Sequence, residues 1–154
     1  MTVLVPIPGD DDLVLEHLVL DVNGTLSDRG EPIVAALKAL ALLRGELQLH
    51  VLSADTFATA AALAERVGAT YREIRDGNDK RDYVHALGPD RCVAIGNGRN
   101  DAPMLEAAAL GIAVIGPEGT HRSALVGADV VALSIDEALG LLAEPRTLTA
   151  SLRP

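Results

Sequence analysis

The most constraining feature of this chain is the regular return of short apolar runs, each followed by a segment of helical pattern. Compact runs of Val, Leu, Ile and Ala occupy residues 17–21, 47–52, 91–95 and 111–115, with weaker ones at 69–74 and 129–133. Runs this short and continuous fit strands buried on both faces, as in a parallel sheet. Strands that alternate with helices argue for βαβ units, with helices on both faces of the sheet.

The punctuation supports that reading. Glu31-Pro32 is expected to open a helix with the stripe Ile33, Leu37, Leu40 and Ala41, stopping at Gly45. Asp55 or Thr56 is expected to cap an alanine-rich helix that ends at Gly68. Asp76-Gly77 reads as a turn, Asn78 as the cap of a helix through Leu87, and Pro89 prevents its continuation. A helix over about 101–109 carries Pro103 in its first turn, with Asn100 as its cap, and a shorter helix runs near 120–126. Ser134 to Glu137 is a capping box for a helix to about Leu142. Residues 2–16 form a β-hairpin, turning at Pro8-Gly9 beside an Asp triplet that reads as a solvated tip, and the tail 147–152 alternates like an added edge strand.

Composition narrows the function. At 154 residues and 49% hydrophobic, the chain has the size and apolar content of one domain, here with the core at 17–142. Aromatics are only 2%, so that core is aliphatic. The net charge of −9 argues against nucleic acid and anionic membrane surfaces, which need clustered Lys and Arg. Cys92 is the single cysteine and reads as a small core residue, which leaves no internal disulfide. Apolar stretches fall short of the roughly 20 residues of a membrane span, and the acidic N-terminus has no signal-peptide pattern, so a cytoplasmic location is the expectation. His17, His50, His85 and His121 do not fall at ligand spacing, which argues against zinc.

Ligands of parallel α/β sheets sit beyond the carboxyl ends of the strands. Four polar groups are expected there: Asp21 with Asn23, Gly24 and Thr25; Ser53; Lys80; and Asn97 to Asp101. Alone, Asp21 also reads as a turn former, Thr25 as a turn hydroxyl, Ser53 as a strand-end cap and Lys80 as a solvated lysine. Together they suit a phosphoryl group. Asp21 can attack phosphorus. Mg²⁺ would neutralise the charge, held by Asp21, Asp101, Asn97 and the backbone carbonyl of Asn23. Thr25 and Ser53 offer hydroxyl donors, Gly24 allows close backbone approach, and Lys80 supplies fixed positive charge. Arg99 lies at the rim and reads equally as a substrate contact or a solvent-facing loop residue.

Asp21-Val22-Asn23-Gly24-Thr25-Leu26 resembles the first motif of the haloacid dehalogenase superfamily, Asp-x-Asp-Gly-Thr-Leu. Val51-Leu52-Ser53 and Lys80 are similar to its second and third. Gly96-Asn97-Gly98-Arg99-Asn100-Asp101-Ala102-Pro103 resembles the fourth, in the form found at the hinge of P-type ATPases. The resemblance spans about 17–142 and implies a three-layer Rossmann-like α/β fold, Mg²⁺ and phosphoryl transfer through Asp21. Spacing leaves no room for a cap domain, so the site is expected to be open or covered by a neighbouring subunit in a homo-oligomer. Its substrate would be a phosphorylated small molecule or macromolecule.

Two positions depart from the pattern. Asn23 stands where the family's phosphatases carry the Asp that serves as general acid and base, and Asn97 where an acidic metal ligand is usual. Catalytic duties thus fall to Asp21 and Lys80, with Asn23 at the acid–base position. Two readings follow: a slow Mg²⁺-dependent phosphohydrolase or phosphotransferase, or a non-catalytic binding or regulatory protein. A phosphorylated receiver domain fits less well, because receivers phosphorylate an Asp after a later strand and lack the Gly-Asn-Gly loop.

Overall fold

The structure is a computed structural model that describes residues 1–54 and 59–154. The expected caps Asp55 and Thr56 lie outside the described residues. A hairpin comes first, with β1 (Val3–Val5) antiparallel to β2 (Leu13–Leu15). The central strand β3 (His17–Leu20) follows, then a second, small hairpin of β4 (Ser27–Asp28) and β5 (Glu31–Pro32). The chain continues through α1 (Val34–Leu43), β6 (Gln48–Ser53), α2 (Thr59–Val67), β7 (Thr70–Glu73) and α3 (Gly77–Leu87). Next come β8 (Cys92–Gly96), α4 (Ala102–Ala107), β9 (Leu110–Val114), α5 (Arg122–Gly127), β10 (Val130–Ala132), α6 (Ile135–Ala143) and α7 (Arg146–Leu152).

Six strands make one parallel sheet in the order β10-β9-β8-β3-β6-β7. Side chains alternate across it, and each face has its own core. Leu18, Leu20, Val51, Val93 and Ile95 pack with α1, α2 and α6 on one side. Val19, Leu52, Cys92 and Ala94 pack with Val84 of α3 and Met104 and Leu105 of α4 on the other. This is the expected three-layer arrangement of helices on both faces of a parallel sheet. Among the described residues no cap domain interrupts it, and the polar strand β7 lies at an edge.

Several boundaries differ from the sequence reading. Residues 147–152 are helical rather than an edge strand. Their alternation also places Leu148 and Leu152 four apart, on one helical stripe. Leu148 is fully buried, and Thr149 Oγ1 donates to the Pro6 carbonyl at 2.9 Å, fixing α7 beside the N-terminal hairpin. Glu31-Pro32 does not open a helix. Arg29 and Gly30 both take positive φ, 49° and 85°, the two-residue turn that pairs Glu31-Pro32 with Ser27-Asp28. The buried stripe of α1 is Ala36, Leu37, Leu40 and Leu43, with Ala41 on the exposed side. Asp76, not Asn78, caps α3: its carboxylate accepts the Asp79 N–H at 3.0 Å. Asn100 is no cap either, because Arg99–Asp101 forms a 3-10 turn before α4. No described helix is long and apolar enough to cross a membrane.

Candidate active site

Parallel register gathers the expected groups at one rim. Leu20 lies between Val51 of β6 and Ile95 of β8, so the chain emerges with Asp21 near Ser53 and Asn97. The Asp21 N–H still donates to the Ile95 carbonyl at 3.1 Å, extending the sheet by one residue. Val22 then anchors a tight turn: its carbonyl accepts from the N–H groups of Thr25, Leu26 and Ser27 and from Ser27 Oγ. Gly24 takes φ +76° in this turn, and a Cβ there would lie 2.4 Å from Asn97 Nδ2. Its own N–H donates to the Ser27 carbonyl at 2.9 Å. What Gly24 gives the site in this state is therefore space. Asn23 is exposed at the lip.

Lys80 enters from the first turn of α3 and is the largest fully buried side chain among the described residues, 0% exposed. Its Nζ donates to Asp21 Oδ1 at 2.8 Å and to Asp101 Oδ1 at 2.6 Å. The other Asp101 oxygen accepts the backbone N–H groups of Asn97 and Gly98 at 2.9 and 2.8 Å. Asp101 thus rigidifies its own loop while it holds the lysine. Thr25 is also fully buried, with its hydroxyl 3.2 Å from Asp21 Oδ2 and 3.1 Å from Asn97 Oδ1. One hydroxyl hydrogen serves two acceptors, so three oxygens converge with a single proton among them. Ser53, 1% exposed, closes β6 at the same rim.

The electrostatics follow from two carboxylates sharing one ammonium in a buried place. Burial raises the Asp21 carboxyl to about 6, helped by the Asp101 charge and opposed by Lys80. Burial pushes Lys80 down, but the charges of Asp21 and Asp101 outweigh it and hold Lys80 above its ordinary value. The outcomes differ because Lys80 faces two anions, which overcome its burial, whereas Asp21 faces one cation and one anion, which leave its burial dominant. Every buried side-chain nitrogen and oxygen among the described residues has a hydrogen-bond partner.

Sequence reasoning missed the loop after β9. Asn97 Nδ2 donates to the Gly119 carbonyl at 2.9 Å, which fixes Oδ1 toward Thr25 and Asp21. The His121 N–H donates to the Asn97 carbonyl at 2.9 Å. A Cβ on Gly116 would lie 2.1 Å from the Gly24 carbonyl, so the loop rests directly on the Asp21 turn. Glu118 accepts the Arg29 N–H at 3.1 Å and ties the loop to the β4–β5 tip. The glycine pattern of Gly116 and Gly119 was the available signal. Also unforeseen, His17 Nδ1 and His50 Nε2 lie 3.1 Å apart, and His50 Nδ1 lies 2.9 Å from the Tyr83 hydroxyl. Burial, then His17, lowers the His50 pKa to about 4. Among the described residues no three His, Cys, Asp or Glu side chains cluster as a metal site. Any metal at the rim would rely on carboxylates together with neutral oxygens.

A profile of haloacid dehalogenase-like hydrolases matches residues 83–124. The chain is 43% identical over 63 residues to an uncharacterised protein of Methanocaldococcus jannaschii, covering 41% of this chain and 68% of that one. It is 40% identical over 117 residues to the probable cation-transporting ATPase G of Mycobacterium tuberculosis, covering 73% of this chain but only 15% of the ATPase. Among solved structures, the 3-deoxy-D-manno-octulosonate 8-phosphate phosphatase of Moraxella catarrhalis superposes with a TM-score of 0.70 at 18% identity, over 89% of this chain and 90% of that one; it holds magnesium, phosphate and KDO. The cobalt-bound phosphatase of Haemophilus influenzae superposes with a TM-score of 0.70 at 15% identity, over 91% and 94%. The four motifs converge on one rim of this fold, and the chain is similar there to haloacid dehalogenase-like hydrolases over residues 83–124.

Proposed function

We propose that the chain is a divalent-metal-dependent phosphohydrolase that works through an aspartyl phosphate on Asp21. The observation that carries this reading is the buried Lys80 ammonium bridging Asp21 and Asp101 at a strand rim. Such an arrangement holds a carboxylate nucleophile in place and sets fixed positive charge where a transferring phosphoryl group accumulates negative charge.

The oxygens that converge on Thr25 suit a hard cation, which typically takes one or two carboxylates plus waters and phosphate oxygens. Asp21, Asp101, Asn97 and the Asn23 carbonyl would hold it. When bound, Mg²⁺ supplies the charge neutralisation that lets a carboxylate approach a phosphate dianion. The chain's residues do the rest. Asp21 displaces the leaving group from phosphorus, and Lys80 and Ser53 steady the phosphoryl oxygens. Water then cleaves the acyl phosphate and returns Asp21 to its carboxylate form. Both steps run without a carboxylic acid at position 23, because the Asn23 amide neither protonates a leaving oxygen nor activates water. Proton transfer of this kind is worth about 10²–10⁴-fold in rate. Substrates whose leaving group needs no proton, such as acyl and aryl phosphates, are therefore favoured.

The test is turnover of acetyl phosphate and p-nitrophenyl phosphate with and without Mg²⁺, in the wild type and in Asn23→Asp. Slow, Mg²⁺-dependent turnover that rises by about 10²-fold in Asn23→Asp is expected. If neither substrate is consumed and Asn23→Asp stays inert, the alternative gains, a binding or regulatory protein on the same fold. In that case Asp21→Asn would leave function intact.

A further inference from the structure

Resting on the phosphohydrolase reading, we infer that the cavity between the segments that carry Lys80 and Asp101 receives the non-reacting part of the substrate, and that Arg99 selects phosphomonoesters carrying a second anionic group, such as a carboxylate. This cavity measures about 630 Å³ and is lined by Asp76, Gly77, Asn78, Arg99, Asn100 and Pro103. Its two walls are the segments that deliver the buried ion pair. Asn78 lies two residues before Lys80, and Asn100 immediately precedes Asp101. The walls meet at Gly77, where a Cβ would come 2.7 Å from the Asn100 carbonyl. A group seated in the cavity is therefore bounded by the same backbone that positions the phosphoryl-handling side chains.

The lining chemistry sets the class of ligand. Pro103 is the single apolar side chain, and Asn78 and Asn100 present exposed amides. Arg99 is the only cation of the lining and forms no ion pair among the described residues. The one acid of the lining, Asp76, has its Oδ1 turned to the Asp79 N–H as the cap of α3. A guanidinium without an ion pair among the described residues, in a lining that also offers two amides, suits a carboxylate or a second phosphate, which it can grip with paired N–H donors. On a chain of net charge −9, attraction for an anion depends on such a local cation. A second cavity, about 380 Å³, touches the site through Gly24 and Thr25 but has the opposite character: Ile33, Val114 and Ile135 with Asp28 and Asp136. It suits an apolar or cationic group, and Thr25 turns its hydroxyl away from it toward Asp21 and Asn97.

The two cavities make different predictions for three probes assayed with Mg²⁺: phosphoglycolate, butyl phosphate and phosphocholine. Phosphoglycolate is expected to have the highest kcat/KM. Arg99→Ala is expected to raise its KM about tenfold or more, the scale of a lost charge-assisted hydrogen bond. Turnover of p-nitrophenyl phosphate should be unchanged, and Arg99→Lys should recover part of the loss. Equal use of the three probes, a preference for butyl phosphate or phosphocholine, or an unaltered phosphoglycolate KM in Arg99→Ala would each overturn the inference. Wild-type protein inert toward p-nitrophenyl phosphate would count against the hydrolase reading instead. Calorimetry then decides the inference separately: phosphoglycolate should bind more tightly than inorganic phosphate in the wild type, and equal affinities would refute the role of Arg99.

Discussion

Replacing Lys80 by Met removes the one cation from a buried cluster and leaves the Asp21 and Asp101 carboxylates facing each other. Both Oδ1 atoms sit within hydrogen-bond distance of the same Nζ, at 2.8 and 2.6 Å, so they are about 5 Å apart or less. Two unit charges at that separation repel by roughly 3 kcal/mol at an effective dielectric constant near 20. Breaking a buried pair by deleting one partner typically costs about 3–5 kcal/mol. For a chain of this length each kcal/mol shifts Tm by about 2–4 °C, so a fall of roughly 6–20 °C is expected at pH 7 in metal-free buffer. The defect should shrink at pH 5, where protonating one carboxylate relieves the repulsion, and shrink again when Mg²⁺ is added at pH 7. Differential scanning calorimetry of both proteins at the two pH values measures this. A loss below about 1 kcal/mol, or one equal at pH 5 and pH 7, would refute the buried-cluster account.

Other consequences follow from the same geometry. The Asp21 pKa, raised to about 6 from 3.8, means that the folded protein holds a proton the unfolded chain lacks between those values. Asp21 therefore favours folding as the metal-free protein is acidified from pH 7 to 5, and Asp21→Asn should abolish that gain in urea denaturation. His50 acts oppositely: with its pKa lowered to about 4 from 6.5, the unfolded chain takes the proton first, so stability falls as pH drops through this window. His50→Gln should flatten that decline. Gly116→Ala would drive a methyl group onto the Gly24 carbonyl, and a loss of about 1–3 kcal/mol is expected, together with weaker Mg²⁺ binding by calorimetry.

The parts of the fold and site legible in the sequence were those with strong local signatures. The apolar strand runs are continuous because both faces of the sheet are covered, and Asp21, Lys80 and Asp101 stand in recognisable short motifs. What the sequence did not disclose depended on contacts between distant segments. His17 and His50 are separated by 33 residues and meet only because β3 and β6 pair. The loop that locks Asn97 does so through the Gly119 carbonyl and the His121 N–H, backbone atoms that carry no signature of their own. The tail misled because Leu148 and Leu152 satisfy a period of two and a helical period alike, and the docking of α7 against β1 decided between them. At 31–32 a proline pattern suited to a helix start was overruled by the Arg29-Gly30 turn. Asn97 read as a weakened metal ligand, whereas its amide has a second duty: Nδ2 needs the Gly119 carbonyl, which an aspartate at that position would repel.

The most direct test of the central claim is to stop the reaction with acid during acetyl phosphate turnover and map the phosphoryl group by mass spectrometry. The account predicts a hydroxylamine-sensitive adduct on the peptide containing Asp21, present in the wild type and absent in Asp21→Asn. Turnover that persists in Asp21→Asn, or an adduct on any other residue, would contradict it.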